Sequence, residues 1–221
     1  LLAIMLTSVL SIGITGTVIF GLIGLPEDSP VVQFAQGISY HFLMIFVLAP
    51  LVLRLPKGKR SFKQYMEDIG LSRMQPFVRL VLLGLSCYLI LALAQISASF
   101  VYRLIEGLPI NGSFARQVFD LSGDLPPRSL SLLISFPSIF EEVVFRGIVL
   151  TVFLNKYSER QSIIFSSIGF GLIHALNLLN GADLIWTLGQ IVWAFLMGLF
   201  YGYVFVRTRS LLPSMIVHYW G

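Results

Sequence analysis

Residues 184–206 read LIWTLGQIVWAFLMGLFYGYVFV, an uninterrupted apolar run without one charged side chain. As an α-helix at 1.5 Å per residue it is about 34 Å long, enough to cross a hydrocarbon core of roughly 30 Å. Outward from this run the pattern repeats. Apolar runs of similar length lie at about 2–23, 31–54, 78–104, 129–154 and 161–179, and another begins at 212. The chain of 221 residues is 56% hydrophobic and only 12% charged, with a mean hydropathy of +0.85. In water such a chain would expose apolar surface at about 25 cal/mol per Å²; in lipid it does not. The composition therefore predicts an all-α, polytopic transmembrane helix bundle of about seven or more helices. A single transmembrane domain over 1–221 is expected, with N-terminal helices and connectors in 1–127 and the residues capable of chemistry in 128–221.

The formal net charge of +4 does not point to a nucleic-acid partner, because most basic residues sit in the connectors. Arg54, Lys57, Lys59, Arg60, Lys63, Arg73 and Arg79 lie between or at the edges of runs two and three. Lys156 and Arg160 follow run four, and Arg207 and Arg209 follow run six. The remaining connectors hold only Arg103, Arg116 and Arg128, offset by acidic residues. This bias places the even-numbered connectors and the N-terminus in the cytoplasm. Within the longest basic connector, Phe62, Tyr65, Met66 and Ile69 recur at helical spacing, which predicts an interfacial amphipathic helix on the cytoplasmic side. Cys87 is the sole cysteine, so neither a disulfide framework nor a cysteine metal site is expected.

Run four carries Phe140-Glu141-Glu142-Val143-Val144-Phe145-Arg146-Gly147. Three ionisable side chains in one spanning helix need partners or water. Glu142 and Arg146, four residues apart, share a helical face within ion-pair reach, whereas Glu141 is rotated by about 100° and can face another helix. Pro137, one turn earlier, is expected to kink the helix. One arginine does not neutralise two carboxylates, so Glu141 calls for a proton, a metal or an imidazole. His174, with Asn177 one turn further on, and His218 supply imidazoles; His41 has no acidic or polar companion at helical spacing. Glu141 and His174 both lie about 21–23 Å from the basic boundary of their helices, and His218 about 13 Å if its helix starts at Arg209. Pro213 suits a first helical turn, which would leave the residues before it extended and carry His218 deeper. Gly198 and Gly202 form a small-xxx-small pair for close helix packing. Glutamate beside imidazole can deprotonate a water for attack on a peptide carbonyl. Alternatively Glu141, His174 and His218 can hold a divalent metal such as zinc, with water in the open position.

Glu141-Glu142-x-x-x-Arg146, Phe170-x-x-x-His174 and His218 in a final helix resemble, in order, the three motifs of the CPBP family. That family includes the CAAX prenyl endopeptidases and the bacteriocin-processing or self-immunity (Abi) proteins. The resemblance spans 130–221 and extends to Gly198-x-x-x-Gly202 and Thr208-Arg209-Ser210-Leu211; Asp68-Ile69-Gly70-Leu71 is similar to a weaker feature. It implies an intramembrane endopeptidase in which Glu141 and His174 activate water and His218 binds the carbonyl oxygen or a metal. Glu142 and Arg146, with Asn177, would support the site. The substrate would be a peptide or protein in or at the bilayer, membrane-associated or lipidated, in a prokaryotic plasma membrane. Family members commonly carry Asn or an equivalent four residues after the last histidine, so the core is expected to be trimmed at Gly221, as the start at Leu1 is. The competing expectation is a catalytically silent CPBP-like protein that binds a peptide or protein partner. A proton-coupled transporter using Glu141 and His174 as a relay ranks below both, since no inverted repeat is visible.

Overall fold

Helix boundaries follow the local chemistry of the chain. The computed structural model describes residues 61–111 and 138–220, with Gly24, Phe42, residues 44–48 and Pro50. The expected span at 2–23, most of that at 31–54, His41, and the start of run four with Pro137 lie outside the described residues. Helix α1 (Phe62–Asp68) opens at Ser61, whose hydroxyl accepts the Gln64 N–H while the Gln64 side chain accepts the Ser61 N–H. Helix α2 (Phe77–Ile105) follows Pro76. Residues 138–154 form α3, which is π-helical over Val143–Leu150 and α-helical over Thr151–Leu154. A second capping box, Ser158 with Gln161, starts α4 (Glu159–Ile173). The chain then tightens into a 3-10 helix over His174–Asn180 and stops at left-handed Gly181. Asp183 caps α5 (Leu184–Thr208) by accepting the Trp186 N–H. After left-handed Arg209, α6 (Leu212–Trp220) begins with Pro213 in its first turn, as expected.

Helix α2, the stretch Glu159–Leu179 and α5 are each long and apolar enough to cross a membrane. Their surfaces invert the soluble pattern. Val78, Leu82, Leu89, Ile90 and Leu93 of α2 and Ile185, Leu188 and Val192 of α5 are exposed, whereas Ser162, Ser166, Ser167, Thr187, Glu142 and Arg146 are buried. A helix apolar around its whole circumference suits lipid on its outer side and protein on its inner side.

At the centre, every residue of Val143–Leu150 is buried. The Ser166 hydroxyl of α4 donates to the Phe145 carbonyl at 2.8 Å, tying α4 to α3. The small-residue pair of α5 does what its spacing predicts. A Cβ at Gly198 would lie 2.9 Å from Ser167 Cβ, and one at Gly202 3.1 Å from Ile163, so both glycines let α5 close on α4. Gly84 plays the same part between α2 and α6, facing Ile216 and the Pro213 carbonyl.

Helix α1 is present where the amphipathic spacing predicts it, but much of its apolar face meets protein. Tyr65 and Ile69 are buried and Met66 packs against the same core, leaving Phe62 exposed. The Tyr65 hydroxyl donates to the Ile45 carbonyl at 2.9 Å, and burial pushes its phenol up, so it remains a donor at neutral pH. Asp68-Ile69-Gly70-Leu71 acquires a structural meaning. Gly70, at φ +76°, lies against the Arg209 carbonyl, its own carbonyl accepts the Leu211 N–H, and the Ile69 carbonyl lies against Gly147. A Cβ on Gly147 would sit 2.9 Å from that backbone oxygen. Gly147→Ala is therefore expected to destabilise the fold by about 1–3 kcal/mol through overpacking, read as a lower midpoint of thermal unfolding in detergent.

Candidate active site

The site starts from α3. Its π-helical segment keeps Glu142 and Arg146 on one face, with Arg146 Nη1 3.1 Å from Glu142 Oε1 and side-chain exposures of 1% and 0%. The pair is close without forming an aligned hydrogen bond, and Glu142 Oε2 and both terminal guanidinium nitrogens have no hydrogen-bond partner. Aromatic faces cover the cation instead. The guanidinium carbon lies 4.1 Å from the centre of the Phe170 ring and 5.1 Å from that of Tyr201. π-Helical turns often accompany functional sites because the widened coil redirects side chains; here it falls on the charged motif.

His218 joins this pair from α6. Its Nδ1 lies 2.9 Å from Glu142 Oε1; since a carboxylate accepts, Nδ1 carries the proton and Nε2 points elsewhere. Nε2 is 3.8 Å from Glu141 Oε2, with exposures of 20% for His218 and 31% for Glu141. Tyr201 stacks on the imidazole at 5.2 Å and Phe170 meets it edge-on at 5.7 Å. The depth mismatch anticipated for His218 is resolved by where α6 begins. Leu211 already sits beside Gly147, so the next seven residues bring His218 level with Glu142.

His174 occupies the point where α4 tightens into the 3-10 turn. Its Nδ1 donates to the Phe170 carbonyl at 2.9 Å, which leaves Nε2 as the acceptor in the neutral ring. Asn177 does not bond to either histidine; its Nδ2 donates to Gln190 Oε1 at 2.7 Å. His174, His218 and Gln190 line one cavity of about 490 Å³ with Trp193, Tyr201 and Trp220 among its walls.

Residues 126–220 match the model of a family described as Type II CAAX prenyl endopeptidase Rce1-like. This stretch is therefore similar to the CPBP/CAAX-protease family. No curated protein and no solved structure matches the chain.

Within this stretch the sequence motifs converge unequally. Glu141, Glu142, Arg146 and His218 form one cluster, and His174 shares a cavity with His218. Glu142 had been paired with Arg146 alone, yet it also holds His218 and so links the first motif to the third. The metal reading fares differently. Among the described residues no three of His, Cys, Asp and Glu are grouped to hold one ion, so Glu141, His174 and His218 do not fit a metal triad as they stand. Each Nδ1 donates to a protein oxygen, which leaves Nε2 of both rings as the acceptor. Gln190 and Tyr201 were not singled out from sequence. A signal existed, since Thr187, Gln190, Ala194, Met197 and Tyr201 recur every three or four residues and place the amide of the run on the bundle-facing side.

Proposed function

We propose that the chain is an intramembrane endopeptidase that hydrolyses a peptide bond of a membrane-associated or lipid-modified protein with a water activated by Glu141. One observation carries the reading. Glu141 Oε2 lies 3.8 Å from His218 Nε2, too far for a direct hydrogen bond and close enough for one water oxygen to touch both. Glu141 takes the proton of that water as its oxygen attacks the scissile carbonyl. His218 accepts a hydrogen bond from the same water at Nε2 and so aligns it against the carbonyl, and Glu142 holds the ring for that task through Nδ1. His174, in the cavity it shares with His218, takes up through Nε2 the proton that Glu141 removed from water and passes it to the leaving amine as the C–N bond breaks, which returns both side chains to their starting state. No step requires a metal. The aromatic walls of the cavity, Trp193, Tyr201 and Trp220 among them, suit an apolar or lipid-modified segment. The basic connectors favour a cytoplasmic N-terminus, with the exposed Phe62 of α1 near the headgroups, and the family resemblance suits a prokaryotic plasma membrane.

The reading is tested with purified chain in proteoliposomes, offered prenylated and unprenylated membrane-anchored peptides in water enriched in oxygen-18. Cleavage is expected, with one heavy oxygen in the new carboxylate, and His174→Ala is expected to slow it by about 10²- to 10⁴-fold. A folded protein that binds these peptides and releases no product would instead support the silent, partner-binding alternative.

A further inference from the structure

A second cavity, of about 460 Å³, lies where the helices of the bundle end. Asp68 closes α1, Arg73 precedes α2, Thr151 belongs to the last turns of α3, Tyr157 and Glu159 lead into α4, and Arg209 follows α5; all six line it. Two of the membrane-length helices, α2 and α4, start beside it, and a third, α5, stops beside it. It therefore sits at the level where hydrocarbon gives way to headgroups. Among the described residues its lining carries two guanidiniums and two carboxylates, of which Asp68 has a further partner of its own. Among the described residues, neither Arg73 nor Arg209 forms an ion pair, and the Thr151 hydroxyl is buried without a hydrogen-bond partner.

Arg209 adds an independent observation. Its backbone is left-handed, at φ 53° and ψ 22°, a conformation that glycine adopts without steric cost and arginine does not. Arg209 ends α5 with its N–H donated to the Phe205 carbonyl, and its own carbonyl lies against Gly70. Glycine would satisfy the backbone better; an arginine there keeps a guanidinium at the cavity. Strain tolerated in this way tends to accompany function.

We propose that this cavity binds the headgroup of a zwitterionic phospholipid with a primary ammonium group. Arg73 and Arg209 take the phosphate through charge-assisted hydrogen bonds, and Glu159 takes the ammonium. The half-exposed Tyr157 ring packs beside the glycerol region, where aromatic side chains gather in membranes.

The test uses the full chain in nanodiscs of dioleoylphosphatidylcholine, alone or mixed with dioleoylphosphatidylethanolamine. Phosphatidylethanolamine is expected to raise the unfolding midpoint by roughly 4 °C, and native mass spectrometry is expected to show one retained molecule. Arg209→Gly relieves the strain, so its midpoint in phosphatidylcholine should equal or exceed that of the parent while the phosphatidylethanolamine increment disappears. Arg73→Gln should lose the increment as well. An Arg209→Gly protein that keeps the increment overturns the site. An equal rise with dioleoylphosphatidylglycerol overturns the zwitterion assignment, and the same rise from inorganic phosphate in phosphatidylcholine discs overturns the lipid assignment.

Discussion

Glu141→Gln lowers kcat for peptide hydrolysis by about 10³- to 10⁴-fold, with KM changed by less than about threefold. The amide keeps the size of the carboxyl group and cannot take a proton from water. Its effect should be confined to chemistry, because Glu141 is 31% exposed while Glu142 is the carboxylate against Arg146. Removing the Glu141 charge leaves that buried pair intact, so the midpoint of thermal unfolding should stay within about 2 °C of the parent. Initial rates over a range of peptide concentrations, with unfolding measured on the same preparation, check both halves. A well-folded Glu141→Gln protein with more than a tenth of the parent kcat would remove Glu141 from the mechanism.

The neighbouring carboxylate is expected to behave in the opposite way. Glu142→Ala strips the counter-charge from Arg146, which is 1% exposed, and stranding a buried charge costs about 3–5 kcal/mol. Little folded protein should survive extraction into detergent. Replacing both members, Glu142→Met with Arg146→Met, exchanges the ion pair for apolar volume and should restore most of the stability. The two thioethers would pack against the Phe170 and Tyr201 rings that now cover the guanidinium. Activity should not return, because His218 Nδ1 has lost the Glu142 oxygen that lies 2.9 Å from it. A double variant that regains both stability and hydrolysis would reduce Glu142 to a structural partner of Arg146.

These contrasts show what the sequence reveals and what it conceals. Long apolar runs read directly as helices because lipid imposes length and all-round hydrophobicity, and the described spans agree with 78–104, 161–179 and 184–206 to within two residues at each end. Cap chemistry at Ser61, Ser158 and Asp183 is equally local. Register between helices is not. Nothing along the chain states that Leu211 lies beside Gly147, and that single contact sets the depth of His218. The widening of α3 into a π-helix is hidden for the same reason, since it depends on what surrounds Val143–Leu150 on every side. The division of labour between Glu141 and Glu142 was legible only in part. Spacing placed Glu142 with Arg146, but its hold on His218 spans 76 positions. Gln190 was visible as a polar residue in an apolar run, while its bond to Asn177 needed the turn after α4.

The 76-residue separation between Glu142 and His218 also has a consequence for how the protein is made. At typical synthesis rates of about 5–20 residues per second, the charged helix waits roughly 4–15 s for the ring that completes its cluster. During that interval Glu141, Glu142 and Arg146 of α3 are without the imidazole that joins them in the folded protein. Whatever the cluster does is thus deferred until the helix that carries His218 has been made and has packed against α3.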